Sequence, residues 1–192
     1  IAVSAAVLAL ASPVLALAML AIRLESPGPV LYRQRRTGLD GHEFDVIKLR
    51  TMVDGAEQIG AGLAIDAEDP RITRVGELLR RTSLDELPNL VNVLRGEMSL
   101  IGPRPTLPVQ VQQYSERELG RLGVKPGITG WAQVNGRASL PWPERIELDL
   151  YYIEHRSLAL DLRILWRTIA IVFGGSGLYK GQTGGWEAEK DG

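Results

Sequence analysis

Nineteen of the first 22 residues are apolar and none is charged, and such a run has few structural solutions. As a straight helix it would be about 33 Å long, just enough to cross the hydrocarbon core of a bilayer. Only Ser4, Ser12 and Pro13 interrupt it. Proline in mid-helix removes one backbone bond and crowds the preceding turn, so a kink is expected at Ser12-Pro13. Composition alone leaves a spanning helix and a re-entrant one equally open. A cleaved secretory signal is a third idea, but no small-residue cleavage site precedes the charged segment. Arg23, Arg33, Arg35 and Arg36 come directly after, and the positive-inside bias places that end in the cytoplasm under either topology. Because the first residue is Ile1, a native start is expected upstream.

The remainder of the 192 residues suits one domain with room for a core. A net charge of −1 gives no general reason to expect nucleic acid as a partner. Cysteine is absent, which excludes disulfides and Cys metal sites, and the two histidines, His42 and His155, are too far apart in the sequence to suggest zinc. After Ser26-Pro27-Gly28-Pro29, the apolar runs Val30–Tyr32 and Phe44–Ile47 flank Leu39-Asp40-Gly41-His42, a hairpin signal. Residues 72–81 read as a short amphipathic helix, 109–122 as a polar helix, and 143–153 as a further helix carrying Asp149, Tyr151 and Tyr152. Leu158, Leu162, Leu165, Ile169 and Val172 recur at steps of four, three, four and three, with Arg156, Arg163 and Arg167 opposite. That pattern suits either a core helix with a solvated face or a helix lying in a membrane surface.

Between these elements lies the densest chemistry. In residues 80–105 the carboxylates Asp85 and Glu86 stand side by side, preceded by Arg80 and Arg81 and followed by Pro103-Arg104-Pro105. Leu87, Leu90, Val91 and Leu94 form one helical face, so the pair opens a helix. Ser83 as cap would put Pro88 at the fifth position and cost a bond, whereas Asp85 as cap leaves Pro88 in the first turn. The second register is expected. A helix cap needs no arginines, but a carboxylate that attacks phosphorus needs cations to offset the repulsion between two anions. Arginine's planar fork suits phosphate, and the flanking prolines hold Arg104 extended.

Several motifs recur in order along nearly the whole chain: Lys48-x-Arg50-Thr51-Met52, Asp69-Pro70-Arg71-Ile72-Thr73, Arg80-x-Thr82-Ser83-Leu84-Asp85-Glu86-Leu87-Pro88, Ser99-Leu100-Ile101-Gly102-Pro103-Arg104-Pro105, and Gly127-Ile128-Thr129-Gly130-Trp131-x-Gln133-Val134-Asn135-Gly136-Arg137. Together they resemble the bacterial sugar transferases, and more narrowly the monotopic polyprenyl-phosphate phosphoglycosyl transferases. The resemblance implies a mostly helical α/β catalytic domain over 25–173, resting on a re-entrant membrane helix over 1–24 that breaks at Ser12-Pro13. An amphipathic surface helix closes the domain, and a flexible tail fills 174–192. It implies transfer of a phosphosugar from a UDP-sugar to a polyprenyl phosphate such as undecaprenyl phosphate at the cytoplasmic face of the inner membrane, among membrane lipids, with uridine monophosphate leaving. This would be the step that initiates a surface glycan. By the same resemblance Asp85 is the nucleophile and Glu86 the Mg²⁺ ligand, while Arg80, Arg104, Arg137, Lys48, Arg50 and Gln133 serve phosphate or nucleotide. The sugar is left open, and so is the oligomeric state, a homo-oligomer included.

Two other classes compete. A non-catalytic membrane scaffold would account for the apolar segment but not for adjacent carboxylates among arginines. A nucleotide-binding module would account for the glycine-rich run, yet neither a P-loop nor a dinucleotide fingerprint is present.

Overall fold

The computed structural model describes residues 1–59, 69–136 and 139–174; the expectations for Arg137 and for the tail beyond 174 fall outside them. The apolar segment is a single helix, α1 (Ala2–Glu25), with Pro13 inside it. The expected break at Ser12-Pro13 is absent. The Ser12 hydroxyl donates to the Ala9 carbonyl at 2.8 Å, the acceptor that an N–H at position 13 would otherwise have reached, so the orphan left by proline is satisfied locally. One stripe of α1 is covered: Ser4, Leu15 and Ile22 are buried and Leu8, Ala11 and Ala18 half-buried. Steps of four and three carry that stripe over about 27 Å of helix. Leu10, Leu17, Leu20 and Leu24 face outward.

The hairpin forms as the Asp-Gly signal suggested. Strands β1 (Leu31–Thr37) and β2 (Glu43–Leu49) pair antiparallel, with Tyr32 opposite Lys48 and Arg36 opposite Phe44. The chain reverses through Asp40 and Gly41 at φ 53° and 80°, values that Asp and Gly tolerate best. Thr73 caps α2 (Arg74–Thr82) by accepting from the Gly76 amide. Leu49 and Leu79 meet Leu15 and Ile22 of α1 in one core; Phe44, Val46, Val93 and Met98 form a second under the hairpin.

Residues 84–94 differ from the expected capped helix. Ser83, left-handed at φ 55°, ends α2, and a 3-10 stretch covers Leu84–Asn89 before α3 (Leu90–Leu94) begins. Neither Ser83 nor Asp85 caps anything through its side chain. Pro88 supplies no N–H, so the chain tightens into i→i+3 turns until full helical bonding can start beyond it. The helix expected over 109–122 is also divided, into α4 (Pro108–Val111), α5 (Glu116–Leu119) and a 3-10 turn at Gly120–Gly123. Ser115 starts α5 with a capping box to Glu118.

No sequence signal pointed to the parallel pair β3 (Ser99–Ile101) and β4 (Gly127–Thr129). Its glycines are there for backbone contact: a Cβ on Gly127 would lie 2.1 Å from the Gly102 nitrogen, and one on Gly130 2.1 Å from the Gly102 oxygen. What approaches Gly127 and Gly130 is thus the chain itself. After α6 (Trp131–Val134), the helices α7 (Trp142–His155) and α8 (Leu158–Gly174) complete the fold around Val134, Tyr152 and Ile164. Ile164 and Leu160 turn the inner face of α8 to this core, while Leu158 and Trp166 on the outer face are 76% and 74% exposed.

Candidate active site

The 3-10 stretch is pinned to β2 by one buried bond: the Ile47 amide donates to Asn89 Oδ1 at 3.1 Å. That docking brings the next β2 side chain, Lys48, against the carboxylates. Lys48 Nζ donates to Glu86 Oε1 at 2.8 Å, and the Arg104 guanidinium donates to the same oxygen at 2.7 Å. Lys48 and Glu86 are largely buried and Arg104 about half exposed. Burial alone would raise the Glu86 carboxyl, but Arg104 and Lys48 outweigh it and hold it well below the usual carboxylate range. The Lys48 ammonium is lowered, since burial costs it more than Glu86 returns and Arg104 repels it.

Asp85 is in the opposite state. None of the hydrogen bonds or ion pairs found among the described residues engages its carboxylate. Burial first, and the neighbouring Glu86 second, push it from 3.8 up to about 6, against the pull of Lys48, Arg80 and Arg104. Two adjacent carboxylates are thus driven apart: one locked ionised between two cations, the other unpartnered among the described residues and raised towards the physiological range. Such a split marks two different chemical roles.

Of the other anticipated residues, Arg80 ends α2 close enough to act on Asp85. Arg50 belongs elsewhere. Its guanidinium donates to the carbonyls of Ser26 and Pro27 and to the Ser26 hydroxyl, so it fastens the exit of α1 rather than a phosphate. Gln133 is buried on α6 beside Gly130 and Gly102, its amide unpartnered among the described residues, and no bond joins it to the carboxylates. Arg36 was missed. On β1 it shares a face with Tyr32 and Gln34, the face that Lys48 occupies across the hairpin, and its guanidinium donates to the Pro105 carbonyl at 3.1 Å. Period-two alternation would have found it once the register was known.

Among the described residues no three Asp, Glu, His or Cys side chains converge on a metal position. An all-protein cage is therefore absent there. Mg²⁺ needs only one or two carboxylates when substrate phosphates and water complete its shell, and the Glu86–Asp85 pair fits an ion shared in that way. Glu86 would offer Oε2, since Oε1 already accepts from Lys48 and Arg104.

The family model described as bacterial sugar transferase matches residues 1–175. A UDP-glucose:undecaprenyl-phosphate glucose-1-phosphate transferase of Caulobacter vibrioides is 49% identical over 179 residues, covering 87% of this chain and 66% of that protein. A UDP-N-acetylgalactosamine-undecaprenyl-phosphate N-acetylgalactosaminephosphotransferase of Aeromonas hydrophila is 45% identical over 86% of this chain and 40% of its own length. The uncharacterized sugar transferase EpsL of Bacillus subtilis is 44% identical over 82% of this chain and 76% of that one. The chain thus spans well under half of the Aeromonas protein it matches.

Proposed function

The chain belongs to the bacterial sugar transferases, and on that premise we propose that it transfers a sugar phosphate from a UDP-sugar to a polyprenyl phosphate such as undecaprenyl phosphate. The carrying observation is the divided carboxylate pair, with Glu86 held by Lys48 and Arg104 and Asp85 without a partner among the described residues. An Asp85 oxygen attacks the sugar-bearing phosphorus, and the bond from that phosphorus to the bridging oxygen breaks, so uridine monophosphate leaves with the electron pair. The acyl phosphate so formed is opened by an oxygen of the lipid phosphate, which returns Asp85 as a carboxylate. Lys48, Arg80 and Arg104 offset the charge of the incoming diphosphate. Mg²⁺ bound at Glu86 would supply further neutralisation of the phosphate oxygens. The relatives named for glucose and for N-acetylgalactosamine leave the sugar to be chosen by contacts outside this pair.

The assay that tests this reading is release of uridine monophosphate from a panel of UDP-sugars, with and without polyprenyl phosphate, by detergent-solubilised protein. A protein that turns over none of them would overturn it. A pH profile gives a second check. Because Asp85 must be ionised to attack and is pushed up to about 6, kcat/KM should fall tenfold per pH unit below about 6. A profile level down to pH 5 would show that the Asp85 carboxyl is not raised in the free enzyme.

Monotopic seating at the cytoplasmic face is part of the same proposal. What supports it is the covered stripe of α1, which runs from Ser4 to Ile22, so the helix stays with the domain rather than leaving it to cross alone. The outer apolar faces of α1 and α8 are the surfaces offered to lipid. Since the chain has no cysteine, Ile1→Cys gives a single label site. It should resist a membrane-impermeant thiol reagent added to intact cells, whereas labelling from outside would show a spanning helix.

A further inference from the structure

The strap Pro103-Arg104-Pro105 carries the arginine that neutralises Glu86, yet two of its three residues have no N–H to anchor it. It is held by its carbonyls instead. Pro103 accepts from the Gly127 amide at 2.8 Å, Pro105 from the Arg36 guanidinium at 3.1 Å, and Thr106 from the Thr37 amide at 2.8 Å. The central carbonyl, that of Arg104 itself, accepts from Arg121 at 3.0 Å.

Arg121 is only 4% exposed, and its fork is almost fully used. Nε donates to Asp149 Oδ2 at 2.7 Å, Nη1 to the Thr106 hydroxyl at 3.1 Å and to the Tyr114 hydroxyl, and Nη2 to the strap. Asp149, 1% exposed on α7, supplies the balancing charge. Well-packed apolar side chains usually fill such a space with no loss of stability, so a buried ion pair is weak evidence of a packing role. Here the pair aims two donors at the strap and its neighbour Thr106, and a third at Tyr114, whose hydroxyl also reaches Thr106.

We propose that Arg121, oriented by Asp149, is a positioning residue that fixes Arg104 against Glu86, so that removing it costs activity through Arg104 alone. The inference rests on the transferase reading above. It also explains why the phosphate-facing arginine sits on a proline strap: a segment with few donors of its own takes its position from whatever grips its carbonyls.

A double-mutant cycle on kcat/KM tests this, with uridine monophosphate release as the readout. Arg104→Ala should lose about 10²-fold, and Arg121→Lys, which keeps the pair with Asp149 but loses the fork, about 10-fold or more. If Arg121 acts through Arg104, the double variant should be no worse than Arg104→Ala. Losses that multiply would overturn the proposal, because a general structural role lowers both backgrounds equally. Should Arg121→Lys fail to fold, as judged by its thermal melt, Tyr114→Phe removes one hydroxyl from the same clamp and completes the cycle with the same criterion. Absence of turnover in the wild type would refute the transferase reading instead, so the two failures are distinguishable.

Discussion

Asp85→Asn should leave a folded protein without transferase activity, and a more stable one than the wild type. Loss of an essential nucleophile costs on the order of 10³-fold or more. Intact-protein mass spectrometry without acceptor should find a phosphosugar adduct on the wild type and none on the variant. Full turnover by Asp85→Asn would end the covalent mechanism. The stability gain follows from linkage. A carboxyl whose folded value is raised from 3.8 to about 6 contributes most below 3.8 and loses that contribution as pH rises through 6. At pH 7 the ionised form therefore opposes folding by at most about 2–3 kcal/mol, which the neutral amide removes. A melt higher by roughly 4–10 °C is expected for a chain of this size. An unchanged melt would mean that burial does not strain Asp85.

Glu86→Gln should be nearly as damaging for the opposite reason. The amide cannot neutralise Lys48 and Arg104, which both donate to one Glu86 oxygen, and a loss of about 10²–10³-fold is expected. Glu86 is depressed in the fold, so its stabilisation is present above its ordinary 4.5 and lost as pH falls through its folded value. The variant should accordingly melt lower at pH 7, and its deficit should shrink in acid. Chelation should abolish wild-type turnover, with Mg²⁺ restoring it. Equal rates with and without chelator would reject a metal at Glu86 while leaving the two-cation role intact.

The carboxylate pair, Arg104 and the hairpin were legible because each rests on short-range chemistry: adjacent residues, a proline-bounded arginine, an Asp-Gly turn; Lys48 was reached only through the family resemblance. What sequence spacing could not give was any partner chosen across the fold. Arg50 looked like a companion of Lys48, being two residues on, but β2 ends at Leu49 and the next side chain turns to the α1 exit. Arg121 and Asp149 are 28 residues apart with no periodicity to join them. The 3-10 stretch was missed because Pro88 was weighed only as a choice between two α-helical registers. At Pro13 the rule on proline was sound, and the neighbouring serine supplied the exception to it.

The end of β2 carries two grips that face different parts of the molecule. Lys48 holds the Glu86 carboxylate, and Arg50 holds the carbonyls where α1 ends. Two residues of extended chain reach at most about 7 Å, so these grips behave like hub and axle with no joint between them. The apolar helix therefore acts as a depth gauge. Whatever sets its height in its surroundings sets the height of Glu86 as well, and tilting the one swings the other.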